Sequence, residues 1–137
     1  MFGFMGSSSR LPKDWNLSLQ DGCYNGFVTK VISKVVNRKE LKELAVEIGG
    51  FYINVVVDLG RGLMAAGAKM HVDEERALIE AGSNQEDLWG GGYDLDTKQI
   101  TFDSIINNKP GVNASSDILD PEVRRKFEVR VKKLLGL

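Results

Sequence analysis

Residues able to do chemistry are concentrated in one stretch, Gly82-Ser83-Asn84-Gln85-Glu86-Asp87-Leu88-Trp89-Gly90-Gly91-Gly92-Tyr93. Consecutive glycines let backbone come close to a neighbour or a ligand. Trp89 offers a rigid apolar wall with a single N–H donor. Ser83, Gln85, Asp87, Trp89 and Tyr93, with Asn107 and Lys109 from a downstream loop, therefore form the candidate binding site. An apolar wall with a few orienting polar groups is what a small concave site requires. The competing reading is a structural corner, with Trp89 in the core and the groups at 85 and 87 satisfying loop backbone donors.

A different chemistry would draw on His71, Asp73, Glu86 and Asp87. Carboxylate oxygens suit Mg²⁺ or Mn²⁺, and one imidazole suits Mn²⁺ or Zn²⁺, so this cluster suggests a metal-assisted hydrolase or nuclease. Against it, Asp73 is placed to cap a helix and a lone histidine is more often a hydrogen-bonded structural group. The favoured reading thus has no metal and no cofactor, with a divalent metal as the alternative. Nucleophilic catalysis finds less support still. Ser83 lacks the strained elbow of a serine hydrolase, and Cys23 has only the distant His71 as a partner. Gly90-Gly91-Gly92 precedes no Lys-Ser or Lys-Thr pair, so it is not a phosphate loop, and reads as a bulge or close strand crossing.

The bulk composition is that of an ordinary globular chain. Its 137 residues are 42% hydrophobic and 27% charged, with a net charge of -1, which fits one domain and gives no global pull toward nucleic acid or an anionic membrane. No apolar run reaches the length of a membrane span and no signal peptide is visible, so a cytoplasmic protein is expected, in keeping with the single cysteine. Charge is unevenly spread, however. Eight acids lie between His71 and Asp96 against Arg76 alone, whereas the stretch from Asp120 carries six basic residues against three acids. The plain reading is solvated faces; the functional one is a basic terminal helix meeting nucleic acid, without aromatic groups for base stacking.

The elements that must position these residues follow from periodicity. Residues 1–26 read as a weakly ordered leader or extension, with linker-like Gly6-Ser7-Ser8-Ser9, and the domain spans 27–137. Phe27–Val36 reads as a strand, and Asn37 with Glu40 as a capping box opening a helix that Gly49-Gly50 stops. Phe51–Ala66 alternates like a strand, yet Asn54, Asp58 and Arg61 form a polar stripe at helical spacing, and its length favours a helix. Lys69–Val72 reads as a short strand and Asp73–Gly82 as a helix. Trp89–Leu95 and Gln99–Ser104 form a hairpin around Asp96-Thr97-Lys98, and Asp120-Pro121 opens a terminal helix striped by Val123, Phe127, Val131 and Leu134. The sum is a single α+β domain: a small, mostly antiparallel sheet with about four helices on one face.

From about Asn37 to Leu135 the chain resembles a small prokaryotic family known only as a domain of unknown function. The resemblance rests on Val56-Val57-Asp58, Met64-Ala65-Ala66-Gly67, His71-Val72-Asp73, Ile106-Asn107-Asn108-Lys109-Pro110 and Asp120-Pro121-Glu122-Val123-Arg124. Its most specific block is Gln85-Glu86-Asp87-Leu88-Trp89-Gly90. It implies a cytoplasmic single domain without an assigned activity. The functional expectation is a small binding or regulatory module with no covalent chemistry of its own, its partner a small molecule or a protein, and its oligomeric state open.

Overall fold

The computed structural model describes residues 30–137, the Glu47 side chain aside, and before them only the backbone of two short strands. These are β1 (Cys23–Tyr24) and β2 (Phe27–Val28), paired antiparallel. Most of the leader expected over 1–26 lies outside the described residues.

Five strands form one antiparallel sheet in the order β3-β5-β4-β6-β7. They are β3 (Lys30–Ile32), β4 (Tyr52–Asp58), β5 (Leu63–Ala66), β6 (Leu88–Asp94) and β7 (Gln99–Thr101). Three helices accompany them: α1 (Arg38–Leu44), α2 (His71–Glu80) and α3 (Pro121–Leu135). The α+β class and the antiparallel sheet are as expected; the described residues hold three α-helices and three short 3₁₀ turns.

The helices occupy both faces of the sheet, not one. On one face Ile53, Val55 and Val57 of β4 join Trp89 and Tyr93 of β6 against Phe127, Val131 and Leu134 of α3 and Leu44 of α1. On the other, Val56, Ala65 and Leu88 lie beneath Leu78 of α2. Alternate residues of a strand point to opposite faces, so a strand covered on both sides is apolar at successive positions. Hence Phe51–Ala66 is not the helix its length suggested. It is β4 and β5, paired from Val55↔Ala66 to Asp58↔Leu63 around a tight turn. The helix-like stripe has another origin: Asn54 donates to the Lys69 carbonyl (2.8 Å), Asp58 accepts from Gly60 and Arg61 N–H groups, and Arg61 donates to the Ala81 carbonyl (3.0 Å).

Two local signals held and one moved. The Asn37–Glu40 capping box is formed, at 2.8 and 2.9 Å, and Asp120 caps α3, accepting from Glu122 N–H at 2.8 Å, with Pro121 in its first turn. Lys69–Val72, expected as a strand, instead leads into α2, which starts at His71 after an extended Met70. Asp73 is therefore inside the helix, 3.8 Å from Arg76, and does not cap it.

The triple glycine is not a bulge but a place of close approach. It is the centre of β6, where Val56↔Gly90, Val55↔Gly91 and Asn54↔Gly92 pair in unbroken register. Each lacks a side chain because something else fills the space. A Cβ on Gly90 would sit 2.6 Å from Ser104 Cβ, one on Gly91 would meet the Thr101 carbonyl and Phe127 Cζ (2.8 Å), and one on Gly92 would meet the Tyr52 hydroxyl. Close packing from both faces explains the run. Among the described residues no helix is long and apolar enough to cross a membrane.

Candidate functional site

The seven residues expected to form a binding site are distributed along β6 and its flanks. Ser83 is buried, its Oγ donating to Asp58 Oδ2 at 2.6 Å. Gln85, exposed in the 3₁₀ turn before β6, donates to Glu75 Oε2 at 3.1 Å. Lys109 Nζ donates to the Gln85 carbonyl at 3.1 Å and stands 5.0 Å from the Trp89 ring centroid. Burial lowers the Lys109 pKa, opposed by Glu75, Asp87 and Glu86. Gln85, Trp89 and Lys109 are thus brought together. Trp89, however, is 6% exposed and belongs to the α3-side core, as the corner reading anticipated. Asp87 lies beside Gly60, and its carbonyl accepts from Leu59 N–H at 3.1 Å. The backbone donors of the neighbouring Gly60 turn rest on Asp58, whose Oδ1 accepts from Gly60 (2.9 Å) and Arg61 (3.0 Å). Asp58 was hidden within the stretch read as a helix.

Asn107 is buried and wholly engaged with backbone. Its side chain accepts from Gly90 N–H and donates to the Gly90, Phe102 and Ser116 carbonyls. Asn113 holds the same loop, donating to the carbonyls of Asn107, Ser115 and Asp117. Tyr93 lies four residues along β6 from Trp89, about 13 Å at strand rise. The seven residues do not enclose one pocket.

The metal cluster is likewise dispersed. His71 Nε2 is 2.7 Å from the Gly91 carbonyl oxygen, at the start of α2. Burial lowers its pKa, with the Gly91 bond and Asp103 acting the other way. Glu86 and Asp87 follow the far end of that helix, which at ten residues is about 15 Å long. Among the described residues no three His, Cys, Asp or Glu side chains are grouped to hold a metal ion. On α3, Arg125 pairs with Glu122 (2.6 Å), Lys132 with Glu128 (2.9 Å), and Arg124 stacks 4.2 Å from the Phe102 ring centroid. Much of the helix's basic side is thereby engaged within the domain.

Two features escaped the sequence reading. Glu74, in the first turn of α2, is fully buried. Its Oε2 accepts from Ala68 N–H at 3.0 Å while Oε1 has no partner, and burial pushes the carboxyl well above its ordinary value. The second is a cavity of about 890 Å³ at the end of the sheet remote from Trp89, between α1, the β6–β7 turn and the last turn of α3. Its apolar floor is Leu41, Tyr93, Leu95, Ile100 and Leu135, and Arg38, Lys42, Lys98 and Lys132 also line it. Register explains the floor: Tyr93 pairs with Ile100 across β6–β7, and Leu95 follows two residues on along the same face. α1 contributes at positions 38, 41 and 42, neighbours on one helical face. The Val36 N–H, donating to the Leu134 carbonyl at 3.0 Å, ties the approach to α1 onto α3. Tyr93 is 6% exposed, and its hydroxyl has no hydrogen-bond partner among the described residues. No sequence motif marks this cavity, because its walls come from three separated segments.

Comparison with known proteins gives no significant match among curated proteins and none among solved structures. A family model does match, over residues 30–134, and its members are described as proteins of unknown function. That span takes in the whole five-stranded sheet and all but the last residue of α3, and the chain belongs to this family, DUF5674.

Proposed function

We propose that this domain is a small cytoplasmic binding module, without covalent chemistry of its own, whose small-molecule ligand occupies the cavity between α1, the β6–β7 turn and α3. The observation that carries the reading is the cavity. Its volume of about 890 Å³ lies within the range of roughly 300–1,000 Å³ typical of small-molecule sites. An apolar floor with a few polar groups around it is the usual composition of such a site. Of the seven residues singled out from the sequence, Tyr93 lines this cavity, and its hydroxyl, without a partner among the described residues, is a hydrogen-bonding group for a ligand. The Gln85–Trp89–Lys109 group is a surface contact over a packed core and offers a ligand little enclosure.

The test is a neutral, environment-sensitive dye such as Nile red titrated against the protein and two variants. Leu41→Trp fills the cavity from α1 and is expected to abolish saturable dye binding with the fold intact by circular dichroism. Lys109→Ala, remote from the cavity, is expected to leave it unchanged. Binding lost in Lys109→Ala but kept in Leu41→Trp would move the site to the Trp89 region and overturn the proposal.

A further inference from the structure

We infer that the ligand of this cavity is an anionic amphiphile: a free molecule with an apolar chain ended by one carboxylate or phosphate group. The inference rests on the cavity being the ligand site. What it adds comes from the charges around it. Four cations line the cavity, from three different elements: Arg38 and Lys42 of α1, Lys98 of the β6–β7 turn and Lys132 of α3. Among the described residues no carboxylate side chain lines it. A chain with a net charge of -1 does not collect four cations around one apolar hollow by its average composition.

Two of these cations have a local explanation. Lys42 and Lys132 stand in the last turns of their helices, where positive charge meets the negative end of the helix dipole. Lys132 also has Glu128 as a partner. The other two have none. Arg38 is in the first turn of α1, where its own helix disfavours a cation. Lys98 has φ 61°, the left-handed region that glycine or asparagine ordinarily fills, and is the one non-glycine residue with positive φ among those described. Arg38, Lys42 and Lys98 form no ion pair among the described residues. Unpaired cations at an apolar rim suit an anionic head group whose chain lies on Leu41, Tyr93, Ile100 and Leu135. The Tyr93 hydroxyl, without a partner among the described residues, gives the floor one donor of its own.

Calorimetric titration with decyl phosphate, decanoate, decanol and decyltrimethylammonium, each below its micellar concentration, tests this. Both anions are expected to bind saturably, one per chain, with decanol about tenfold weaker or more, as loss of a charge-assisted contact implies. Decyltrimethylammonium should give no binding. The Arg38→Gln/Lys98→Gln double variant should weaken both anions about tenfold or more while leaving decanol unchanged. The ratio of the two anion affinities then tells a phosphate from a carboxylate head group. Decanol binding as tightly as decanoate, or anion affinities unchanged in the double variant, would overturn the inference while leaving the cavity as a binding site. So would the absence of binding by either anion while Nile red still saturates the protein. If the dye also fails to bind, the cavity reading falls along with it.

Discussion

Asn107 holds Gly90 by both backbone groups, its Oδ1 accepting from the Gly90 N–H at 2.8 Å and its Nδ2 donating to the Gly90 carbonyl at 3.0 Å. β7 pairs with β6 only from Gly92 to Asp94. Beyond that the side-chain amide takes the place of a strand, so the buried backbone of β6 is not left unpaired.

Asn107→Ala strands the buried N–H and carbonyl of Gly90, while the Phe102 and Ser116 carbonyls keep the Ile118 and Ser104 N–H groups as partners. With two buried groups left unsatisfied at about 1–3 kcal/mol each, a total loss of about 2 kcal/mol or more is expected by urea denaturation. Asn107→Asp should lose at least as much at neutral pH, since a carboxylate cannot donate to the carbonyls of Gly90, Phe102 and Ser116. A loss below about 1 kcal/mol for both variants would contradict this account of the loop.

The glycines of β6 make a second, graded prediction. Gly90→Ala meets a side chain, Ser104 Cβ at 2.6 Å, whereas Gly91→Ala meets the Thr101 backbone carbonyl as well as Phe127. Overpacking a tight interior costs about 1–3 kcal/mol. Ser104→Gly should therefore recover part of the Gly90→Ala loss, while Phe127→Leu should not rescue Gly91→Ala. Equal rescue of both, read from thermal midpoints, would contradict the packing described.

Phe127 is fully buried against the sheet on α3. Phe127→Ala should cost about 3–5 kcal/mol in chemical denaturation, the range for deleting a buried ring. A variant of unchanged stability would show that α3 does not close this face of the core.

Helix ends were legible in the sequence because caps and prolines act locally: Asn37 with Glu40, and Asp120 with Pro121, do in the fold what their types suggest. The β6–β7 hairpin was legible for the same reason, its turn fixed by Asp94 Oδ1 accepting from Asp96 and Thr97 N–H groups. Positions 52–66 were not, because two strands joined by a tight turn make one stretch too long for a single strand, and Asn54, Asp58 and Arg61 mimic a helical stripe. The Gln85–Tyr93 block was informative, but about packing. Its glycines and Trp89 are constrained by neighbours that only the tertiary structure supplies. The cavity was illegible, since Arg38, Lys98 and Lys132 are far apart in the chain and individually unremarkable.

Glu74 predicts a pH dependence of definite sign. Its carboxyl is held well above its ordinary value of 4.5 by burial, so the folded protein keeps this proton more firmly than the unfolded chain. Stability from the neutral carboxyl is complete below the unfolded value and declines as pH rises through the folded one. His71 acts oppositely: burial lowers it from 6.5, so its contribution is present above that value and lost as pH falls through the lowered one. Glu74→Gln keeps the shape of the neutral acid and should remove this decline, raising the thermal midpoint at pH 8 relative to the parent. A decline of the same size above pH 4.5 in Glu74→Gln would contradict the assignment.

The location of the ligand site is the central claim, and an amide chemical-shift titration with decanoate on uniformly ¹⁵N-labelled protein tests it most directly. The account predicts saturable shifts at Leu41, Tyr93, Ile100 and Leu135, the floor of the cavity, with Gln85, Trp89 and Lys109 unmoved. Shifts confined to Gln85, Trp89 and Lys109, with the cavity amides unchanged, would contradict it.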